Sequence, residues 1–226
     1  MQCQRVLAIP SKRFTRGPVE FLTDEETAAL VAAPDPRTWI GRRDKALLLV
    51  VQTGLRNSEI TSLRRQDVEF GVGAHVSCFG KGRKMRRTPM RADVAAVLKE
   101  WLAYQGGQPD DPAFPSSNGG RLSADALQRL VAKHVATARR CCPSLKTKKV
   151  KPHTLRHAAA MALLRRGVDL SVIALWLGHE STETTQIYLH ADMQLKQRAL
   201  AHATPSGLKP DRFRPPDPVL AFLESL

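Results

Sequence analysis

Aromatic side chains are scarce in this chain. Phe, Trp and Tyr make up 5% of its 226 residues, and the tyrosines number two. A stacking platform of the kind that grips single-stranded nucleic acid is therefore not a prominent feature. No stretch approaches the ~20 consecutive apolar residues that span a bilayer. The opening MQCQRVLAIPSKRF lacks the apolar core and cleavage site of a secretory signal. The four cysteines, Cys3, Cys78, Cys141 and Cys142, show no CxxC spacing, and the adjacent pair has poor geometry for chelation. A reduced, cytoplasmic protein with no membrane partner fits these absences.

Acidic residues are missing from long stretches. No carboxylate occurs from Ala126 to Val168, a segment that carries Arg129, Lys133, Arg139, Arg140, Lys146, Lys148, Lys149, Lys151, Arg156, Arg165 and Arg166. A second acid-free block, GKGRKMRRTPMR, holds Lys81, Arg83, Lys84, Arg86, Arg87 and Arg91. Over the whole chain Lys and Arg number 35 against 21 Asp and Glu, a formal net charge of +14. A solvated basic face is the plain reading. Two such blocks in one domain point further, to a phosphate backbone as partner.

The hydrophobic pattern predicts a mostly α-helical protein with one small three-stranded antiparallel sheet. FLTDEETAALVAA opens a helix, with Thr23 and Glu26 spaced as a capping box. RRDKALLLVVQTG reads as a largely buried helix stopped by Gly54. VEF, HVSCF and MRRTPM, separated by the turns GVGA and GKGRK, read as a meander. Helices follow over Ala92 to Tyr104, Ser123 to Arg140, His153 to Arg166, Asp169 to Gly178, about Thr182 through Tyr188, and about Met193 to His202. TPSGLKPDRFRPPDP is a Pro-rich linker, and VLAFLESL a short apolar tail helix.

Several polar residues stand out. In HTLRH, Leu155, Ala159 and Ala162 form one stripe of a helix, so His153 and Arg156 are expected to project away from it. A guanidinium fork and a titratable imidazole one turn apart suit a phosphate. His153 and His157 also have the i, i+4 spacing of helical metal sites, but no third ligand accompanies them. TGLRNSEI places Arg56 after a glycine-ended helix, with Glu59 three residues on. Lys81 lies in a glycine-flanked turn where backbone can approach a ligand closely. The Gly178-His179 pair precedes Tyr188 by a short helix.

Taken in order, GLRNSE, the GKGRK hairpin, HTLRH and LGHESTETTQIYLH closely resemble the tyrosine recombinases of the phage integrase family, over roughly Phe21 to His202. The resemblance implies that family's catalytic-domain fold and a metal- and ATP-independent enzyme that cleaves and rejoins double-stranded DNA. Tyr188 would be the nucleophile, giving a 3′-phosphotyrosine and a free 5′-hydroxyl. Arg56 and Arg156 would hold the non-bridging phosphate oxygens, Lys81 would protonate the departing oxygen, and His179 would hydrogen-bond the phosphate. His153 would be the acid/base partner near the phosphate and tyrosine, and Glu59 a supporting residue that orients the first arginine. Arg83, Lys84, Arg86, Lys146, Lys148, Lys149 and Lys151 are the expected DNA-binding cations. No cofactor and no metal are implied.

The expected organisation is an N-terminal extension over 1–20, a catalytic domain over 21–203, a Pro-rich linker over 204–216 and a tail helix over 217–226. The tail resembles the segment that such enzymes donate to a neighbouring protomer, which would permit a tetramer on DNA. The chain reads as the catalytic domain alone, a natural short form or a fragment without the family's N-terminal helical domain. Its expected setting is a bacterial mobile element, with integration or transposition as the process. A DNA-binding module that does not complete recombination is the alternative. A metal-dependent nuclease using His153 and His157 is a remoter one.

Overall fold

The computed structural model describes residues 20–79, 85–179 and 183–191. The predicted helix from about Met193, the linker, the tail and most of the N-terminal extension fall outside these, as do Lys81, Arg83 and Lys84. The chain enters through the predicted capping box. Thr23 Oγ1 accepts from the Glu26 amide at 3.2 Å, and Glu26 Oε2 accepts from the Thr23 amide at 2.9 Å. That starts α1 (Asp24–Ala32), whose first turn carries Asp24, Glu25 and Glu26 at the positive end of the helix dipole. Glu26 is buried and does a second job: it accepts from Lys148 Nζ at 2.6 Å and from Ser144 Oγ at 2.7 Å. The basic loop is thereby tied to the first helix.

Helix α2 (Trp39–Val51) is capped by Thr38 and runs through the centre of the core, with Ala46, Leu47, Leu48, Val50 and Val51 fully buried. After Gly54 the chain turns into α3 (Asn57–Ser62). The sheet follows: β1 (Val68–Glu69), β2 (His75–Phe79) and β3 (Met85–Pro89), in the order β1-β2-β3 and antiparallel throughout. Its period-2 alternation buries Val76, Cys78 and Thr88 on one face. The register pairs Cys78 with Arg86, which fixes the side on which Arg86 emerges.

Helices α4 (Ala92–Gln105) and α5 (Ala124–Ala138) complete one side of the core, α4 against α2 and α5 against α1 and α3. Trp101 packs edge-on to Trp39 at 5.3 Å and donates its indole N–H to the Ala113 carbonyl at 2.8 Å. Between α2 and α5 lies a buried polar link. Arg43 grips one Asp44 oxygen, and the other Asp44 oxygen is 2.7 Å from His134 Nε2. Buried charge of this kind is tolerable only when paired, and here each member has a partner.

The last three described helices carry the polar motifs. They are α6 (Pro152–Arg165), α7 (Leu170–Leu177) and α8 (Glu183–Ala191), and each packs on the other two. Pro152 occupies the first turn of α6, where a missing N–H costs nothing. Asp169 caps α7, and Gly178 ends it in the left-handed conformation at φ 65°. The mostly helical class and the three-stranded sheet agree with the sequence reading. One expectation fails: Arg156 does not project from the core but is 3% exposed, buried like its neighbour Leu155. Its charge is satisfied by backbone carbonyls instead of water.

Candidate active site

The site is organised around the C-terminal end of α7. The last carbonyls of a helix have no intrahelical partner and carry its negative pole. Here three consecutive ones each receive an arginine. Arg86 donates to the Trp176 carbonyl at 3.3 Å, Arg156 to Leu177 at 2.7 Å, and Arg56 to Gly178. Arg156 also donates to the Gly54 carbonyl. Three guanidinium groups, from the N-cap of α3, from β3 and from α6, are thus gathered despite their mutual repulsion. Each η nitrogen used in this way retains a second proton for an external anion.

Two glycines make this convergence possible. Gly54 has φ 90°, and a Cβ there would lie 2.7 Å from Leu177 Cδ2. At Gly178 a Cβ would lie 2.7 Å from Arg86 Nη1. Both positions require glycine, through positive φ and through close approach.

Glu59 supplies the counter-charge. It is buried, with Oε2 accepting from the Arg56 amide at 2.6 Å and from Arg86 Nη2 at 2.6 Å, and Oε1 accepting from Arg56 Nη1 at 3.1 Å. Arg86 Nε reaches the buried Cys78 Sγ at 3.3 Å, and burial pushes that thiol up from its ordinary range. Arg86 was expected on the DNA; its side chain, 13% exposed and committed to Glu59, is an organiser of the site. Lys148 is likewise committed inward, to Glu26 and to the Phe21 carbonyl at 2.9 Å. Lys146, Lys149 and Lys151 are exposed, as a phosphate-contacting role requires.

Tyr188, on α8, is 1% exposed. Its hydroxyl lies 2.9 Å from His157 Nδ1, with ring centroids 5.5 Å apart. His153 is exposed one turn earlier on α6 and meets the His157 ring edge-on at 4.3 Å. The imidazole at the tyrosine is therefore that of His157, which sequence reasoning weighed only as a metal ligand. The i, i+4 spacing held the signal: if His153 faces the site, so does His157. Among the described residues no cluster of three or more His, Cys, Asp and Glu is placed to hold a metal. His179 Nδ1 sits 2.8 Å from Thr185 Oγ1, which links the α7–α8 connection to the helix that carries the tyrosine.

Burial and the arginine cluster set the protonation states. Burial lowers Arg156 to about 10, with Arg56 and Arg86 adding to the shift, so it stays charged at neutral pH. His157 is lowered to about 4 by burial, then by His153, Arg156 and His179. His179 is lowered to about 4 by burial, then by Arg156, Arg56 and Arg86. His153 shifts in the same direction, through desolvation first and Arg156 second. Burial raises Tyr188 to about 12, with Arg156 opposing. At neutral pH the resting site is a set of cationic arginines beside neutral imidazoles and a neutral phenol. It can bind an anion, and it holds a phenol hydroxyl 2.9 Å from an imidazole nitrogen.

The described architecture has counterparts among known proteins. The sequence profile of the phage integrase family matches residues 20–195. A Sinorhizobium fredii protein, "Putative integrase/recombinase y4rC", is 57% identical over 226 residues, all of this chain and 68% of that protein. Tyrosine recombinase XerC of Chlamydia muridarum is 38% identical over 200 residues, 83% of this chain and 59% of that one. A crystal structure of XerH site-specific recombinase bound to a palindromic difH substrate, a post-cleavage complex, superposes with a TM-score of 0.69 at 27% identity. The superposition covers 82% of this chain and 53% of that one. The chain thus spans roughly two thirds or less of the length of these proteins.

Proposed function

The chain belongs to the phage integrase family of tyrosine recombinases, and on that premise we propose that it cuts and rejoins double-stranded DNA through a covalent bond at Tyr188. The observation that carries this reading is the meeting of Arg56 and Arg156 at the end of α7, with Glu59 and Arg86 bonded to them or to the same helix end, His179 next in the chain, and Tyr188 on the helix α8 that packs against α7. A scissile phosphate seated there meets the remaining guanidinium protons of Arg56 and Arg156 on its non-bridging oxygens, where charge builds in the transition state. His179 adds a donor beside them. Tyr188 attacks phosphorus, and the 5′-oxygen leaves with a proton from Lys81, giving a 3′-phosphotyrosine. A phenol is a good leaving group in turn, so a 5′-hydroxyl restores the phosphodiester without ATP. The arginines supply the positive charge that a metal ion supplies in other phosphoryl transfers.

Lys146, Lys149 and Lys151 provide sequence-independent grip on the duplex backbone. Self-association on DNA to a tetramer, action in the cytoplasm of a bacterium, and a role in the movement of a mobile element belong to the same reading. The test uses nicked duplexes drawn from a library of candidate ends, incubated with the full chain in EDTA. An SDS-resistant protein–DNA band that is absent with Tyr188→Phe supports the proposal. Salt-sensitive binding with no such band on any duplex favours a binding module.

A further inference from the structure

We propose that His157 is the proton acceptor for the nucleophile: its Nδ1 takes the Tyr188 hydroxyl proton as the phenol oxygen attacks phosphorus. This rests on the reading of Tyr188 as the attacking group. The step balances simply. The Tyr188 Oη–P bond forms, the P–O5′ bond breaks with its electron pair on O5′, and that oxygen collects a proton from the Lys81 ammonium. The phenol proton moves to His157, which becomes an imidazolium and returns it to the phenol oxygen on rejoining.

Geometry supports the assignment. The 2.9 Å separation lies within the range for proton transfer to a positioned base. The transfer requires the hydroxyl to donate to Nδ1, so the resting imidazole carries its proton on Nε2. His157 is held by α6, a helix anchored in the core through Leu155, Ala158 and Met161, so its ring is supported by rigid structure. His153, given the acid/base role by the family resemblance, meets the His157 ring edge-on at 4.3 Å, and the Tyr188 hydroxyl is bonded to His157.

Electrostatics adds a coupling to substrate. The groups that depress His157 besides burial are His153 and Arg156 on its own helix and His179 from the α7 end. A phosphodiester bound at Arg156 brings a negative charge that offsets the guanidinium. Imidazolium formation becomes easier only when DNA is seated. The resting pair stays neutral, and the phenol is activated when its target arrives.

The experiment measures single-turnover cleavage by the full chain on a duplex that the wild type cleaves, at several pH values between about 7 and 9. The wild-type rate is expected to be nearly flat over this range. His157→Ala and His157→Gln are expected to be slower by ~10²–10⁴-fold at neutral pH. Their rates should rise about tenfold per pH unit, because hydroxide must then ionise a phenol of raised pKa. A 5′-bridging phosphorothiolate, whose thiolate leaves without an acid, should restore Lys81→Ala and leave both His157 variants slow. The Gln variant keeps an acceptor for the hydroxyl, so it separates proton transfer from positioning. Wild-type-like rates, a uniform drop without the pH slope, or rescue by the phosphorothiolate would overturn the proposal. Absence of a Tyr188-dependent covalent product with wild-type protein would instead remove the reading on which it rests, and the proposal with it.

Discussion

Replacing Glu59 by Gln tests whether the arginine cluster depends on its buried counter-charge. The Glu59 side chain is 2% exposed and serves two arginines, of which Arg86 is 13% exposed and Arg56 31%. The Arg86 contact is therefore a buried ion pair, and the Arg56 contact is partly screened. Removing one partner of a buried pair leaves the other charge uncompensated, at a cost of ~3–5 kcal/mol. Gln keeps the volume and one oxygen, but its amide nitrogen faces guanidinium donors and adds no charge to oppose them. Arg86→Met should be destabilising for the same reason. The double variant should be less destabilised than the sum of the singles, by ~2 kcal/mol or more, because neither member of the Glu59–Arg86 pair is then left as a lone buried charge. Equilibrium urea unfolding of the four proteins measures this directly. Single variants that each lose under ~1 kcal/mol and combine additively would refute the account of Glu59 as the cluster's keystone.

Other expectations follow from the same contacts. Gly178→Ala forces a side chain into φ 65° and against Arg86, and should cost ~1–3 kcal/mol in urea unfolding. A cost under ~0.5 kcal/mol would mean that the turn relaxes freely. Lys149→Ala or Lys151→Ala should each reduce the magnitude of the salt slope of DNA binding by about 1. Lys148→Ala should leave that slope unchanged and lower stability by ~1–3 kcal/mol, since Glu26 loses its cation. Acid should destabilise the fold through His157 and His179. Their pKa values in the fold, about 4, lie below the ordinary 6.5, so between these values the unfolded chain binds more protons and stability falls as pH drops. The urea midpoint should decline from pH ~7 to pH ~5, and less steeply in His157→Gln; a midpoint that is flat or rises on acidification would contradict the burial of these rings.

What was legible in the sequence was what local chemistry dictates. Thr23 and Glu26 form the predicted box, Asp169 and Gly178 bound α7 as expected, and the alternation around Val76 and Cys78 marks the strand face that is buried. Arg56, Arg156, His179 and Tyr188 were legible as candidates, though only as a pattern of motifs and not from any one of them. Contacts between distant segments were not. Arg86 reaches Glu59 because the β2–β3 register turns it inward, and a run of cations in GKGRKMRR does not reveal that register. Lys148 meets Glu26 across 122 positions of chain. Arg156 was placed on the solvent side because helical periodicity treats a guanidinium as polar. Periodicity has no knowledge of the Gly54 and Leu177 carbonyls that satisfy it inside.

The most direct measurement of the central claim is the identity of the residue that carries DNA. The SDS-resistant complex, trapped on a nicked duplex, would be digested with protease and nuclease, and the adduct located by tandem mass spectrometry. The account predicts a nucleotide joined through its 3′-phosphate to Tyr188, with a free 5′-hydroxyl on the departed strand. An adduct on another residue, or cleaved strands with no protein attached, would contradict it.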